Sequence, residues 1–202
     1  MMSAAALRAR LRSSPFLFSL TTATAKTAAA DAVTQRYIEG AETIDQRRLG
    51  VFTVFGFWYL GCFQYFLYVR CFARWFPAAE RFGEHATLAA RLGDRAGLLD
   101  LAKQVAAGNF LHIPFLFLPC FYLTQEVTTH GMAAASPSHA LASYRRNLWS
   151  DSVSAWTIWI PGHCIFLAVP LYLRLPINHA MSFGYVCVLS LMRGRVGERG
   201  DD

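Results

Sequence analysis

The chain has 202 residues, of which 54% are hydrophobic and only 16% are charged, and its mean hydropathy is +0.30. Soluble domains carry about 25% charged residues, so this composition favours a membrane protein of one domain. The net charge of +6 does not indicate nucleic-acid binding, because the basic residues are spread over predicted loops and helix ends, where they anchor membrane proteins against anionic lipid.

The N-terminal region is basic and rich in small residues. The first 30 residues contain no acidic side chain but four basic ones: Arg8, Arg10, Arg12 and Lys26. Such a start is typical of a mitochondrial transit peptide, so residues 1–14 form a candidate targeting segment. The same pattern also suits the basic anchor of a first membrane helix. That helix is predicted over residues 15–38, where Ala and Thr permit close packing in lipid.

Two uninterrupted apolar segments lie in the middle of the chain. Residues 49–69 and 104–125 contain no charged side chain, and about 20 apolar residues suffice for a helix to cross the bilayer core. Pro114 and Pro119 are expected to kink the second helix and to free carbonyl groups that neighbours must satisfy. Between the two segments, charged residues alternate with Leu and Ala at helical spacing over residues 80–100. This pattern predicts an amphipathic interfacial segment, with a solvated connection as the alternative.

The C-terminal region predicts two further spans. Residues 152–192 include one charged side chain, Arg174, and are long enough for membrane helices at 153–173 and 176–192, divided near Arg174 to Pro176. Backbone groups in hydrocarbon must be satisfied within helices or a closed barrel, and no strand-like alternation is present.

The predicted fold is therefore an all-α integral membrane protein, a bundle of four to five transmembrane helices with an amphipathic interfacial segment. A single helical membrane domain covers residues 15–192, and residues 193–202 form a polar tail. The bias of Lys and Arg between the two sets of loops is too small to predict the orientation.

Three C-terminal motifs resemble those of a known membrane family. They are Trp156-Thr157-Ile158-Trp159-Ile160-Pro161, then Ile165-Phe166-Leu167-Ala168-Val169-Pro170 leading to Arg174, then Tyr185-Val186-Cys187-Val188-Leu189-Ser190. In order and spacing they are similar to W-x-x-W-P, N-F-x-x-V-P-x-x-x-R and W-x-x-Y-L-S. These belong to the family of the peroxisomal membrane protein of twenty-two kilodaltons and its mitochondrial relative Mpv-seventeen.

The N-terminal half carries the same resemblance. The family pattern T-T, D-x-x-x-Q and D-x-x-R has its counterparts in Thr21-Thr22, Asp31 with Gln35, and Asp45 with Arg48. The resemblance thus covers roughly residues 15–192.

Several family positions differ in this chain. The family's G-P-x-x-H-x-W-Y motif reads here from Gly61 to Tyr68 without its Pro, His and Trp, and Tyr65 stands in place of the His. The K-x-x-x-D-Q segment is represented only by Lys103 and, shifted by one residue, Gly108-Asn109. Ile165 replaces an Asn, and one residue is inserted between Trp159 and Pro161. We therefore expect apolar or aromatic residues at polar positions of an aqueous path in this divergent relative.

No catalytic or metal-binding motif is present in the sequence. G-x-S-x-G, P-loop, G-x-G-x-x-G and H-E-x-x-H patterns are absent, and the six histidines never pair at helical spacing. We therefore expect a non-enzymatic protein without cofactor or metal. His112 and His163 each lie near a proline in an apolar run. They are expected to bond a carbonyl freed by the kink, with a transport role as the alternative.

Charged side chains inside predicted helices need partners. Asp31 would cost about 2.5–3.5 kcal/mol at the bilayer centre by insertion scales, and its expected partners are Lys26, Lys103 or Arg174. Arg174 itself is expected to be a snorkelling anchor. Its alternative is an ion pair with an aspartate or a lipid phosphate, and the candidate aspartates are Asp31, Asp45 and Asp151.

Two arginine doublets lie at the edges of predicted spans. Arg47-Arg48 and Arg145-Arg146 are candidates for binding anionic head groups such as cardiolipin. The alternative is that they are plain solvated anchors.

Two functions compete on this sequence. The resemblance implies a small-solute channel of the mitochondrial or peroxisomal membrane, since relatives have been regarded as pore-forming. The replaced polar positions, with 16 Phe and 8 Tyr, favour instead an accessory subunit of a larger respiratory or other bioenergetic assembly, bound to other membrane subunits and lipid. The basic start and the resemblance predict the mitochondrial inner membrane, with the peroxisomal membrane as the alternative.

Overall fold

The computed structural model describes residues 14–85, 87–168 and 171–194, without the side chains of residues 80, 83, 164, 166–168 and 171–176. This part of the chain forms helices joined by short connections and contains no strand, which confirms the all-helical prediction. The helices are α1 (Pro15–Val33, continued by a π-helical turn Thr34–Ile38), α2 (Gln46–Trp75), α3 (Pro77–Glu84), α4 (Leu88–Gly93), α5 (Arg95–His130), α6 (Pro137–Ala168) and α7 (Leu171–Arg193).

Helices α2 and α5 are long and apolar enough to cross a membrane. They have 30 and 36 residues, and only 39% and 44% of their most apolar windows are buried inside the molecule. Large apolar side chains cover their outer surfaces: Val54, Phe57, Phe66 and Val69 on α2, and Phe110, Leu111, Phe115 and Leu116 on α5. Their outer faces are thus as apolar as their inner faces.

Five of the helices pack in a closed ring. Helix α1 packs against α2, α2 against α5, α5 against α6, α6 against α7, and α7 returns to α1. The core between α2 and α5 is aromatic: Phe55 stacks on Tyr59 with 5.0 Å between ring centroids and meets the edges of Phe117 and Phe121 at 5.1 and 5.3 Å. Offset and edge contacts of this kind add to the free energy gained from burial alone.

The predicted boundary between the last two helices was wrong. Helix α6 ends at Ala168 and α7 begins at Leu171, so Arg174 and Pro176 lie within the first turns of α7 instead of dividing two spans. A proline disfavours the helical conformation of the residue before it. Because both Pro170 and Pro176 carry this signal, sequence alone did not distinguish them.

Helix α6 also begins at Pro137, well before the start of the span predicted at 153–173. Pro137 occupies its first turn, where no N–H partner is required. The hydroxyl of Ser136 accepts a hydrogen bond from the N–H of His139 at 3.4 Å, which places a capping residue at the helix start.

The predicted amphipathic segment consists of several short helices. Helices α3 and α4 precede α5, whose first turn is capped by Asp94 through the N–H of Gly97 at 2.9 Å. This backbone hydrogen bond, together with the bond from His85, lowers the pKa of the Asp94 carboxyl. Asp100 on α5 accepts from the N–H of Ala78 at 3.1 Å, which ties α3 to α5.

Pro114 of α5 lies where the helix is wound wider than an α-helix, and Pro119 lies just after this segment. Residues Ala107–Phe117 form a π-helical segment, in which each N–H bonds the carbonyl five residues earlier. Pro114 and Pro119 have no N–H, so the carbonyls of Asn109 and Pro114 lose their donors. Side chains of α6 replace them: Nε1 of Trp156 donates to the Asn109 carbonyl at 2.8 Å, and the Tyr144 hydroxyl to that of Pro114 at 3.0 Å.

We predict that Trp156→Phe destabilises the protein by about 1–3 kcal/mol, because the Asn109 carbonyl then lacks its donor. The matched control is Trp75→Phe, since Trp75 is 59% exposed and its substitution should change stability by less than about 0.5 kcal/mol. Unfolding in detergent, followed by circular dichroism, measures both. Equal stabilities of the two variants would contradict the role given to the Trp156 indole.

Glycines allow α1 and α2 to approach closely. A Cβ atom at Gly61 would lie 2.7 Å from Cδ1 and 3.0 Å from Cα of Leu20, and one at Gly56 would lie 2.9 Å from Cβ of Thr27. Small residues permit such contacts between helices in lipid. Gly61, a residue of the family motif, therefore lies at the contact of α1 with α2.

Gly61→Ala should destabilise the protein by about 1–3 kcal/mol, because the backbone of α1 must move to admit the methyl group. A methyl group added at Gly184 of α7 meets no described atom within 4 Å, so Gly184→Ala should be neutral or stabilise the helix by up to about 1 kcal/mol. Melting temperatures of the two purified variants test this difference in sign. A Gly61→Ala variant as stable as the parent protein would refute the close contact.

Candidate functional site

A buried ion pair joins α1 and α2. Nε of Arg48 donates to Oδ1 of Asp31 at 2.8 Å, and both side chains are withdrawn from solvent, Asp31 completely. The guanidinium also forks onto Glu39, with Nη1 and Nη2 at 2.7 and 3.1 Å from the two carboxylate oxygens. Bidentate contacts of this kind are the strongest hydrogen bonds of arginine.

Helix α7 and the start of α2 complete this network. The Ser190 hydroxyl accepts from Nη2 of Arg48 at 2.6 Å and donates to Asp31 at 2.7 Å. Gln35, one turn after Asp31, donates to Oδ2 of Asp31 at 2.8 Å and accepts from the N–H of Asp45 at 2.6 Å. Asp45 in turn caps α2 by accepting from the N–H groups of Arg47 and Arg48. One network therefore holds three helices.

The structure corrects two predictions about these charges. Among the described side chains the ion-pair partner of Asp31 is Arg48, and not Lys26 or Lys103 as expected, while the side chain of Arg174 is outside the described residues. Arg48 is only 6% exposed, so it is not available to lipid head groups, whereas its neighbour Arg47 is exposed. Arg48 follows Asp31 by 17 positions, beyond a loop, so no helical spacing in the sequence connects the two residues.

A second buried carboxylate, that of Asp151, also joins three helices, and this was not predicted from the sequence. Asp151 on α6 is fully buried, accepts from the Tyr122 hydroxyl of α5 at 2.6 Å, and pairs with Arg193 of α7 at 2.7 Å. Gln125 of α5 donates to the Arg193 carbonyl at 2.7 Å. Arg193, placed by prediction in a polar tail, is instead the last residue of α7 and joins it to α5 and α6.

A cavity of about 330 Å³ lies inside the ring of helices, bounded by α1, α2, α5, α6 and α7. Its lining combines polar side chains with aromatic and aliphatic ones. The polar residues are Ser19, Lys26, Gln64, Tyr65, Tyr68, Asn109, His112, His163, Asn178, His179, Ser182 and Tyr185. Tyr65, which stands in place of the family's His, is among these residues, and helices outside the compared motif supply further polar groups.

The side of the cavity formed by α1 and α7 carries its positive charge. Nζ of Lys26 donates to the Ser182 hydroxyl at 2.5 Å. Asn178, Ser182 and Tyr185 follow one another at helical spacing on α7, so their side chains share the face that lines the cavity. No Asp or Glu is among the described residues that line the cavity.

The side formed by α5 carries Asn109 and His112, one turn apart and both buried. Nδ2 of Asn109 donates to the Val105 carbonyl at 2.9 Å, and Nε2 of His112 lies 3.0 Å from the Tyr59 hydroxyl. The expected bond of His112 to a carbonyl freed by proline is not the one formed, since Trp156 and Tyr144 bond those carbonyls. His163 on α6 lines the cavity beside Trp159, with 6.0 Å between ring centroids.

The remaining predicted residues lie in three places. Tyr68 and Trp159 line the cavity, and Trp156 supports its wall from outside. Lys103 is outside the lining, 55% exposed and 3.7 Å from Asp100. Pro161, Arg145 and Arg146 are exposed on α6.

Other predictions fall outside the described residues. The predicted targeting segment 1–14 is among them, apart from its last residue, Ser14. The others are Pro170, the side chains of Phe166 and Arg174, and the tail beyond Gly194.

No group of three or more His, Cys, Asp and Glu side chains in the described ranges is arranged to hold a metal ion. Comparison of the chain with protein-family models, with curated proteins and with solved structures gave no match. The resemblance to the Mpv-seventeen family therefore stays a prediction.

Arg48→Met should destabilise the protein by about 3–5 kcal/mol, because Asp31 and Glu39 lose the cation that they share. Arg48→Lys keeps the positive charge but cannot form the bidentate contact with Glu39, so its loss of stability should lie between those of the parent protein and Arg48→Met. Arg47→Met, one residue away and exposed, serves as the control and should stay within about 0.5 kcal/mol of the parent. Unfolding in mixed micelles on titration with dodecyl sulfate measures all three, and similar curves for the two methionine variants would refute a structural role of the network.

Proposed function

We propose that this chain is an integral membrane protein of the Mpv-seventeen type and that it acts as a small-solute channel. The observation that carries the proposal is a cavity lined in part by polar side chains, inside a ring of helices whose two longest members, α2 and α5, have apolar outer faces. Soluble proteins have the opposite arrangement, with polar groups outside and apolar groups within. A polar interior enclosed by a lipid-compatible surface is what conduction of a water-soluble solute requires.

We place five helices across the membrane, namely α1, α2, α5, α6 and α7. Helices α2 and α5 have the length and composition of spans, and the other three close the ring with them. An α-helix rises about 1.5 Å per residue, so the shortest of the five, α1 with 19 residues, is about as long as the hydrocarbon core is thick.

Buried ions support this placement in the membrane. Asp31 and Asp151 face the interior of the ring and each has an arginine partner. Ionisable groups within membrane proteins are expected to face the bundle and to be paired in this way. No such pairing would be needed by carboxylates in contact with water.

The mitochondrial inner membrane is the proposed location, supported by the basic, acid-free start of the chain. Arg47, Arg145 and Arg146 are exposed, so they are the proposed contacts with anionic head groups such as cardiolipin.

An accessory subunit of a respiratory assembly is the second candidate. It is favoured by the exposure of large aromatic side chains, Tyr37 at 80% and Trp149 at 73%, since aromatic residues are enriched at protein interfaces. A channel functions alone after purification, whereas a subunit co-migrates with a large complex on native gels of gently extracted membranes.

We predict that the purified protein, reconstituted into liposomes, lets glycerol pass and excludes sucrose. Gly108 lines the cavity, and a Cβ atom added there would lie 3.7 Å from the Tyr68 hydroxyl oxygen, at ordinary van der Waals distance. Gly108→Phe should therefore fill the cavity and reduce glycerol flux several-fold. Gly93→Phe is the control, because Gly93 has no described atom near its Cβ position and is outside the lining.

Stopped-flow light scattering measures the glycerol flux, and circular dichroism confirms that both variants keep their helix content. A parent protein that leaves the liposomes impermeable to glycerol would overturn the channel proposal. So would a Gly108→Phe variant that is as permeable as Gly93→Phe.

A further inference from the structure

The cavity has a charge imbalance. Lys26 is its only Lys, Arg, Asp or Glu among the lining residues, and no ion pair of Lys26 occurs in the described part of the chain. Its described hydrogen bond goes to a neutral hydroxyl, that of Ser182. A partly buried ammonium without a counter-charge is costly. An anion in the cavity would remove this cost.

Donors for such an anion surround Lys26. Because the Ser182 oxygen accepts from Lys26, the hydroxyl proton of Ser182 is available to a ligand. His179 lies one turn before Ser182, and neither of its ring nitrogens, which are shielded from solvent, has a hydrogen-bond partner among the described residues. Whichever ring nitrogen carries the proton can donate it to an oxyanion.

The wall formed by α5 needs a hydrogen-bond donor from the ligand, whereas the wall at Lys26 offers donors to it. The Val105 carbonyl can only accept, so the amide nitrogen of Asn109 must face it, and Oδ1 of Asn109 is the atom on the other side. Asn109 is fully buried, and no described group donates to this oxygen. A buried acceptor without a donor costs about 1–3 kcal/mol. A ligand hydroxyl would supply the missing donor.

We propose that the cavity binds a small organic oxyanion that also carries a hydroxyl group, a hydroxycarboxylate being the simplest example. The carboxylate lies at Lys26, Ser182 and His179, and the hydroxyl donates to Asn109. A volume of about 330 Å³ lies at the lower end of the range of about 300–1,000 Å³ found for small-molecule sites, so the cavity has room for a small organic acid. This proposal rests on the proposed function and names the class of solute.

The experiment compares three probes of nearly equal size on protein in phosphatidylcholine nanodiscs. They are 2-hydroxypropanoate, propanoate without the hydroxyl, and 2-hydroxypropanamide without the charge. Ligand-observed NMR with competition measures their relative affinities. We expect 2-hydroxypropanoate to bind roughly tenfold more tightly than the amide, as for a hydrogen bond to a charged group, and more tightly than propanoate. Equal binding of the acid and the amide would overturn the proposal.

Variants locate the two halves of the site. Lys26→Met should abolish the preference for the acid over the amide, and Asn109→Leu the preference for 2-hydroxypropanoate over propanoate. Lys103→Met is the matched control, because Lys103 is an exposed lysine outside the lining. Loss of the preference in Lys103→Met as well, or its retention in Lys26→Met, would overturn the assignment. Should a variant not fold, the probe series on the unchanged protein still tests the proposal.

Two further measurements complete the test. One distinguishes a lipid head group from a free solute as the source of the oxyanion, and the other distinguishes failure of the channel proposal from failure of the anion-site proposal. Phosphatidylglycerol also combines an oxyanion with hydroxyls, so nanodiscs containing it test whether a lipid head group competes with 2-hydroxypropanoate. Competition assigns the oxyanion site to lipid, and its absence assigns the site to a free solute. Binding without glycerol flux in liposomes would refute the channel alone. Flux without a preference for the acid would refute the anion site alone.

Discussion

The ion pair between Asp31 and Arg48 is the interaction on which the arrangement of the helices depends. Both groups are buried, and their remaining hydrogen bonds go to Gln35, Glu39 and Ser190. A buried pair contributes little net stability, but loss of one partner leaves an uncompensated charge. Alternative registers of α1, α2 and α7 would leave such a charge in an apolar interior. The network therefore disfavours wrong registers of these three helices more than it stabilises the native register.

The register set by this network also positions the cavity. Lys26 precedes Asp31 by five residues on α1, and Ser182 precedes Ser190 by eight on α7, so the contact of Lys26 with Ser182 lies about 8–12 Å along the same pair of helices. Asp151, with Arg193 and Tyr122, performs the corresponding task for α5, α6 and α7. Two paired carboxylates near one end therefore secure a cavity whose own lining includes no carboxylate.

The wall of the cavity on α5 depends on irregular helix geometry. Wide π-helical winding over Ala107–Phe117 and the two prolines leave carbonyls without donors, and Trp156 and Tyr144 of α6 supply them. Helices of membrane proteins tolerate prolines only where neighbours restore these bonds. The same irregular segment presents Asn109 and His112 to the cavity, so the structural repair and the polar lining belong to one region of α5.

Local properties of the sequence determined the helical class, the two long apolar helices and the need of Asp31 for a partner, whereas the resemblance singled out Gln35, Asp45, Arg48 and Ser190. Apolar length and helical spacing are properties of neighbouring residues, so they can be read without the fold. Tertiary structure decided that Arg48 pairs with Asp31 and that the lining is polar. Tyr65 and Ile165 suggested a lost path, yet Lys26, Asn109 and Asn178 converge from three helices. Such convergence depends on the rotation and register of whole helices, which packing between distant segments sets and no local pattern encodes.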